Sequence, residues 1–124
     1  MGITIKKFTV KPSYLSTGRI VVDFMIDSGD VNSLVPKGQL EKLGMVPYKT
    51  VDFFLADGTK ITRSVGDAYF EYQGEGGAAP VIFGEEGDEP LLGATALESC
   101  GLVLNPFKRE LYPMRMSMLS LIVG

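Results

Sequence analysis

Apolar and polar residues alternate over several short stretches of the chain with a period of two, which is the period of strands. Ile3-Thr4-Ile5 and Phe8-Thr9-Val10 are β-rich in this way. Residues 19–26 predict a strand whose far end, Phe24-Met25-Ile26, is apolar on both faces and so belongs in a core. Two further runs, 51–55 and 60–65, flank Ala56-Asp57-Gly58-Thr59. Asp-Gly between alternating segments predicts a hairpin with positive-φ residues at its tip. Residues 67–72 place Ala68, Phe70 and Tyr72 on one face of another strand. A glycine-rich turn at 73–77 and a return strand beginning at Pro80-Val81-Ile82-Phe83 follow. Leu102-Val103-Leu104 is a short strand closed by Asn105-Pro106, and Met114, Met116 and Met118 share one face of a last extended segment, expected in a core or an interface.

Two segments break this pattern. Residues 36–43 start on a proline, carry Leu40 and Leu43 on one side and end before Gly44, which predicts a short helix. Residues 94–99, between Gly93 and Gly101, predict a second. Many short strands with frequent glycine turns predict an all-β domain, a small barrel or a sandwich. No linker, repeat or low-complexity segment interrupts it, so residues 1–124 are expected to form a single domain.

Composition narrows the chemistry. Of 124 residues 45% are hydrophobic and 22% charged, enough apolar material for one core. A net charge of −3 and scattered Lys and Arg argue against nucleic acid as a partner. The chain has no histidine, which removes Ser-His and Cys-His catalysis and histidine metal sites. Its one cysteine, Cys100, has no base to activate it and reads as a small buried hydrophobe. Residues 118–123 are far too few to span a bilayer, and the first ten residues lack a signal-peptide pattern, so a cytoplasmic protein with no membrane association is expected. The acidic stretch Glu85-Glu86-Gly87-Asp88-Glu89 lacks the ligand spacing of a calcium loop and is expected to be solvated, with no metal and no cofactor.

One position stands out against this background. Asp27 ends the buried run Phe24-Met25-Ile26, is followed by Ser28 and Gly29, and has a second acid at Asp30. A carboxylate is expensive to bury, so a strand that runs into one has either a turn or a site at its end. Asp-Ser-Gly by itself is a common turn sequence. Its surroundings add to it: Leu34-Val35-Pro36 and the 36–43 helix, the 53–65 hairpin, then Leu91-Leu92-Gly93 ahead of the second helix and Gly101-Leu102-Val103-Leu104.

In that order these motifs resemble the retropepsin-like aspartic proteases, in particular their small single-domain prokaryotic members. The resemblance runs from about Arg19 to Tyr112 and includes Glu41-Lys42-Leu43-Gly44-Met45, Ala56-Asp57-Gly58 and the closing Gly101-Leu102-Val103-Leu104-Asn105-Pro106. It implies a small closed β-barrel with two short helices and an aspartic endopeptidase acting on peptide or protein substrates. Asp27 would be catalytic, with water as nucleophile. Two carboxylates sharing one proton are needed, and the chain has one Asp-Ser-Gly, so the resemblance implies a homodimer. Ser28 and Gly29 would brace the site, Leu91, Leu92 and Gly93 would support its loop from below, and Ala56, Asp57, Gly58 and Thr59 would form a flap over the substrate.

Asp30 departs from the family, whose usual residue there is Ala. Facing the two catalytic acids, it would shift their ionisation and favour a basic substrate side chain. Facing away, it would pair with a Lys or Arg of either subunit and brace the dimer, the arrangement expected here because unpaired acids beside a working pair are costly. The competing functional reading is the same fold as a non-catalytic dimerisation or peptide-binding module. The termini, Ile3-Thr4-Ile5 and the run 119–123, are expected at the subunit interface.

Overall fold

The computed structural model describes residues 2–114. Ile5 and the run Phe8-Thr9-Val10 merge into β1 (Ile5–Lys11), with Ile3 and Thr4 outside it. The 19–26 run forms β2 (Ile20–Ile26), antiparallel to β1 in register from Ile5 opposite Met25 to Val10 opposite Ile20. Alternation decides what goes inward: Phe8, Val10, Val22, Phe24 and Ile26 are buried, while Lys7 and Asp23 point out and pair at 2.8 Å. β3 (Leu34–Pro36) leads directly into α1 (Lys37–Lys42). A six-residue helix has no stability of its own; α1 is anchored by fully buried Leu40 and ended at Gly44, whose N–H reaches back to Glu41 O.

β4 (Lys49–Phe54) and β5 (Lys60–Tyr72) form the expected hairpin, and β5 continues antiparallel with β6 (Glu75–Gly84). β7 (Leu91–Leu92) runs parallel to β2, with Met25 opposite Leu91 and Ile26 opposite Leu92. α2 (Ala94–Ser99) follows at once, and β8 (Leu102–Asn105) pairs with β9 (Glu110–Pro113) as a separate two-stranded sheet. The large sheet has the order β1-β2-β7-β3-β6-β5-β4, and β1 also pairs with β5, so the first six strands of that order close into a ring with β4 hanging outside it. A ring leaves few unpaired strand edges. The expected class, mostly β with two short helices, is the class observed. Phe8, Phe24 and Phe70 meet edge-on at 5.8 and 6.0 Å in the middle of the ring, with Val10, Val35, Val81 and Leu92 around them.

Three details differ from the expectation. The 60–65 and 67–72 runs are one strand, β5. The return strand starts at Glu75 rather than Pro80, because the turn is only Gln73-Gly74, both at positive φ. Gly76 and Gly77 are therefore in the strand: a Cβ at Gly77 would lie 2.1 Å from the Ser99 carbonyl oxygen, so the residue is glycine to let α2 close down on β6. β9 was not expected; four residues give too little alternation to read, and its turn is held by the Asn105 side chain, which accepts the N–H groups of Phe107 and Lys108. Met116, Met118 and the run 119–123 lie outside the described residues.

Candidate active site

β2 delivers Asp27 to the end of the ring. The Asp27 N–H donates to Leu92 O at 2.9 Å, continuing the parallel β2–β7 pairing by one residue. The chain then turns sharply: Asp30 N–H donates to Asp27 O at 3.2 Å, and Gly29 N–H donates to Asp27 Oδ1 at 3.0 Å. The half-buried carboxylate is thus oriented by its own loop. A second turn of the same type follows, with Asn32 N–H donating to Asp30 Oδ1 at 3.0 Å.

This loop is clamped from below. Gly93 N–H donates to Ser33 Oγ at 2.9 Å in a buried setting, and Ala94 N–H and Thr95 N–H donate to Asp30 O and Val31 O. Gly93 has no room for a side chain: a Cβ would lie 2.2 Å from Asn32 O and 2.6 Å from Asp30 O. Leu92 is fully buried under the loop and Leu91 half-buried beside it. Leu92 and Gly93 therefore bond to the Asp27 loop, and Leu91 pairs with Met25 and Leu34 on the strands that flank it. Ser33, 2% exposed, is the residue that sequence reasoning missed. A serine before an apolar strand carries no signal that its hydroxyl will be sealed in as a strut.

The hairpin expected as a flap has a loop at 55–59, closed by Leu55 N–H to Thr59 O at 2.8 Å and Gly58 N–H to Leu55 O at 2.9 Å. Only Gly58 has positive φ (87°), not both tip residues; Asp57 instead accepts Thr59 N–H on its carboxylate. A longer loop with one left-handed glycine replaces the expected tight Asp-Gly turn. Between this hairpin and the Asp27 loop lies a cavity of about 500 Å³. Asp30, Asn32 and Leu34 line one side, Phe53, Phe54, Leu55 and Ile61 the other, with Ile82 and Leu91 at the back. The lining comes from the shoulders of the hairpin; Ala56, Asp57, Gly58 and Thr59 at the tip are exposed and do not line it.

Asp27 lines a different and smaller cavity of about 190 Å³, with Gly2, Ile3, Thr4, Met25, Leu104 and Pro106. Ser28 is exposed and lines a third, with Ala94, Leu97 and Leu102 among its walls. Asp27 and Asp30, three residues apart, thus line different cavities of the same chain. Among the described residues of the one chain Asp30 makes no ion pair, so the bracing expected of it falls to a second subunit. The acidic loop is also not simply solvated. Asp88 is held by Arg63 through two bonds of 2.8 and 3.2 Å and accepts the Glu85 N–H, so the loop is tied to the hairpin. The Arg63 guanidinium keeps the Asp88 carboxyl below its ordinary pKa. Cys100 is 3% exposed, and burial pushes its thiol up to about 11, as befits the inert hydrophobe expected. No cluster of three potential metal ligands occurs among the described residues.

A mostly β ring with two short helices, an Asp-Ser-Gly turn at the end of a buried strand and a hairpin over the neighbouring cleft define a fold of the retroviral-protease type. The solution structure of the Simian Foamy Virus (mac) protease is similar to it, with a TM-score of 0.50 and 20% sequence identity over 75% of this chain and 92% of the protease. At that identity the likeness is one of fold. No family model matches the chain, and no curated protein matches it.

Proposed function

We propose that the chain is one half of an aspartic endopeptidase that works as a homodimer, residues 1–124 acting as one domain. In this reading Asp27 from each subunit forms a pair sharing one proton: one carboxylate takes a proton from the attacking water while the other donates a hydrogen bond to the scissile carbonyl. The observation that carries it is the fixed Asp27 carboxylate, held by Gly29 N–H on a loop clamped by Leu92, Gly93 and Ser33, in a fold shared with a viral protease. The remaining roles go to support. Leu91, Leu92 and Gly93 hold the loop, Ser28 and Gly29 brace it against the partner, and the hairpin carrying Ala56, Asp57, Gly58 and Thr59 covers an extended peptide.

Exposed apolar residues beside Asp27 support the dimer. Ile3 and Ile5 are 64% and 61% exposed, and Ile3 lines the Asp27 cavity. Exposed apolar patches of this kind mark interaction surfaces. No cofactor is required by this chemistry. Among the described residues no helix is long and apolar enough to cross a membrane.

The test is digestion of a mixed peptide pool by the full chain and by Asp27→Asn, with the oligomeric state of both followed by sedimentation. Cleavage by the wild type and none by the variant, both dimeric, is the expected result. Equal cleavage by both, or a monomeric active wild type, contradicts the reading. Peptide binding by a dimer that cleaves nothing would instead identify the non-catalytic module, the alternative that Asp30 in place of a small residue keeps in view.

A further inference from the structure

We infer that Asp30 makes the cleft under the hairpin a pocket for an arginine or lysine side chain of the bound peptide. The inference rests on the peptide-cleft reading above and adds the class of side chain the cleft selects. Its basis is the balance of charge around the cavity of about 500 Å³. The walls that Leu34, Phe53, Ile61, Ile82 and Leu91 provide are apolar. The lining carries three acids, Asp30, Asp88 and Glu89, of which Asp30 and Asp88 differ in what they already hold. Asp88 has both carboxylate oxygens on Arg63 and a further bond from Glu85 N–H. Asp30 has one backbone N–H, from Asn32, on Oδ1, and among the described residues nothing on Oδ2.

Three cations on or next to the elements that line the cavity are engaged elsewhere. Arg63 is on Asp88, Lys37 on Glu85 at 2.8 Å, and Lys60 lies 3.9 Å from Asp52. Glu89, the third and exposed acid of the lining, also has no ion-pair partner among the described residues. A half-buried carboxylate against an apolar wall gains most from a cation that brings its own apolar stem. Arginine and lysine do this: the methylenes lie along Phe53, Leu34 and Ile82 while the charged head reaches Asp30. A glutamate or aspartate in the same place would meet like charge. A leucine would desolvate Asp30 without pairing it, which is the costlier mismatch.

The experiment pans a randomised display library of extended peptides on the full-length Asp27→Asn protein, which retains bound peptide uncleaved. The inference expects selected peptides to share a basic residue at one position. Replacing that residue by norleucine, which keeps the stem and removes the charge, should weaken binding roughly 10- to 100-fold. The same replacement should cost less than about 3-fold on an Asp27→Asn/Asp30→Asn protein, whose amide oxygen still accepts the Asn32 N–H and preserves the turn. Glu89→Gln should change the norleucine effect little. Selected peptides with no basic position, no selected peptides at all, or an equal norleucine penalty with and without Asp30 would each overturn the inference. Wild-type digestion of the selected peptides separates it from the peptidase reading. Asp30-dependent basic selection without cleavage leaves the pocket standing and removes the peptidase, whereas Asp27-dependent cleavage with no basic preference does the reverse.

Discussion

Removing one hydroxyl, in Ser33→Ala, tests how the Asp27 loop is held. The Ser33 Oγ accepts the Gly93 N–H at 2.9 Å with both groups buried, and the Ser33 carbonyl separately accepts Ile82 N–H at 2.8 Å. Alanine keeps the second bond and loses the first. The Gly93 N–H is then sealed in without a partner. The space left by one oxygen is smaller than the roughly 30 Å³ that a water occupies in the liquid, so solvent does not restore the bond. An orphaned buried donor costs about 1–3 kcal/mol. With a urea slope of about 2 kcal/mol per molar, the midpoint should fall by roughly 0.5–1.5 M. The assay is urea unfolding at several protein concentrations, since any dimer adds a concentration-dependent contribution that must be held fixed between variants. Ser33→Cys, whose sulfur is a weak acceptor, should fall between wild type and alanine. Peptide cleavage by the folded Ser33→Ala protein should drop as well, because the same bond fixes the loop that carries Asp27. An alanine midpoint within about 0.2 M of wild type would show that Gly93 N–H is not dependent on Ser33, and the clamp would have to be abandoned.

Gly93→Ala should be at least as damaging, by about 1–3 kcal/mol, because its Cβ would press on the carbonyl oxygens of Asn32 and Asp30, which cannot swing aside as a side chain would; unchanged urea stability would contradict the close approach of the two segments. The Arg63–Asp88 pair sets a pH dependence. Asp88 has a folded pKa below its ordinary value, so its stabilising contribution is present above the ordinary carboxylate value near pH 4 and is lost as pH falls through the lowered folded one. Wild type should therefore lose more stability than Arg63→Met between about pH 5 and pH 2, and parallel acid profiles for the two would refute the pairing. Cys100, buried and with its thiol raised to about 11, should resist maleimide at pH 8 in the native protein and react fully in urea; rapid native labelling would place it elsewhere.

Much of this was legible in the chain. β1, β2, the β4–β5 hairpin and both helices declare themselves because each alternates, or stops alternating, over enough residues to show a period, and the helix at Ala94–Ser99 is bounded by glycines. The partners of the strands were not legible from periodicity. Parallel pairing of Leu91-Leu92 with Met25-Ile26 joins residues more than sixty positions apart, and only the likeness in motif order suggested that they meet. Glycines misled where they serve close approach rather than turning: Gly76 and Gly77 read as a loop and are strand residues facing Tyr69 and Ser99. Within the site, Asp27 was evident because an acid ending an apolar run is costly. The orientation of Asp30 was not, since a side chain three residues into a turn has no period to fix its direction; in the structure it lines the cleft under the hairpin. Ser33 and Arg63 show the same limit, because their partners, Gly93 and Asp88, are set by the closure of the ring.

The central claim is that two Asp27 carboxylates, one from each subunit, act together on a peptide bond, and a mixing experiment tests it most directly. Wild type and Asp27→Asn are unfolded together in urea at equal amounts, refolded to let subunits exchange, and assayed on a cleavable peptide at the total concentration of a wild-type control. If both subunits must supply Asp27, only pairs of two wild-type chains work, and activity should fall to about one quarter of the control. Activity near one half, the value for chains that each work alone, would contradict the account.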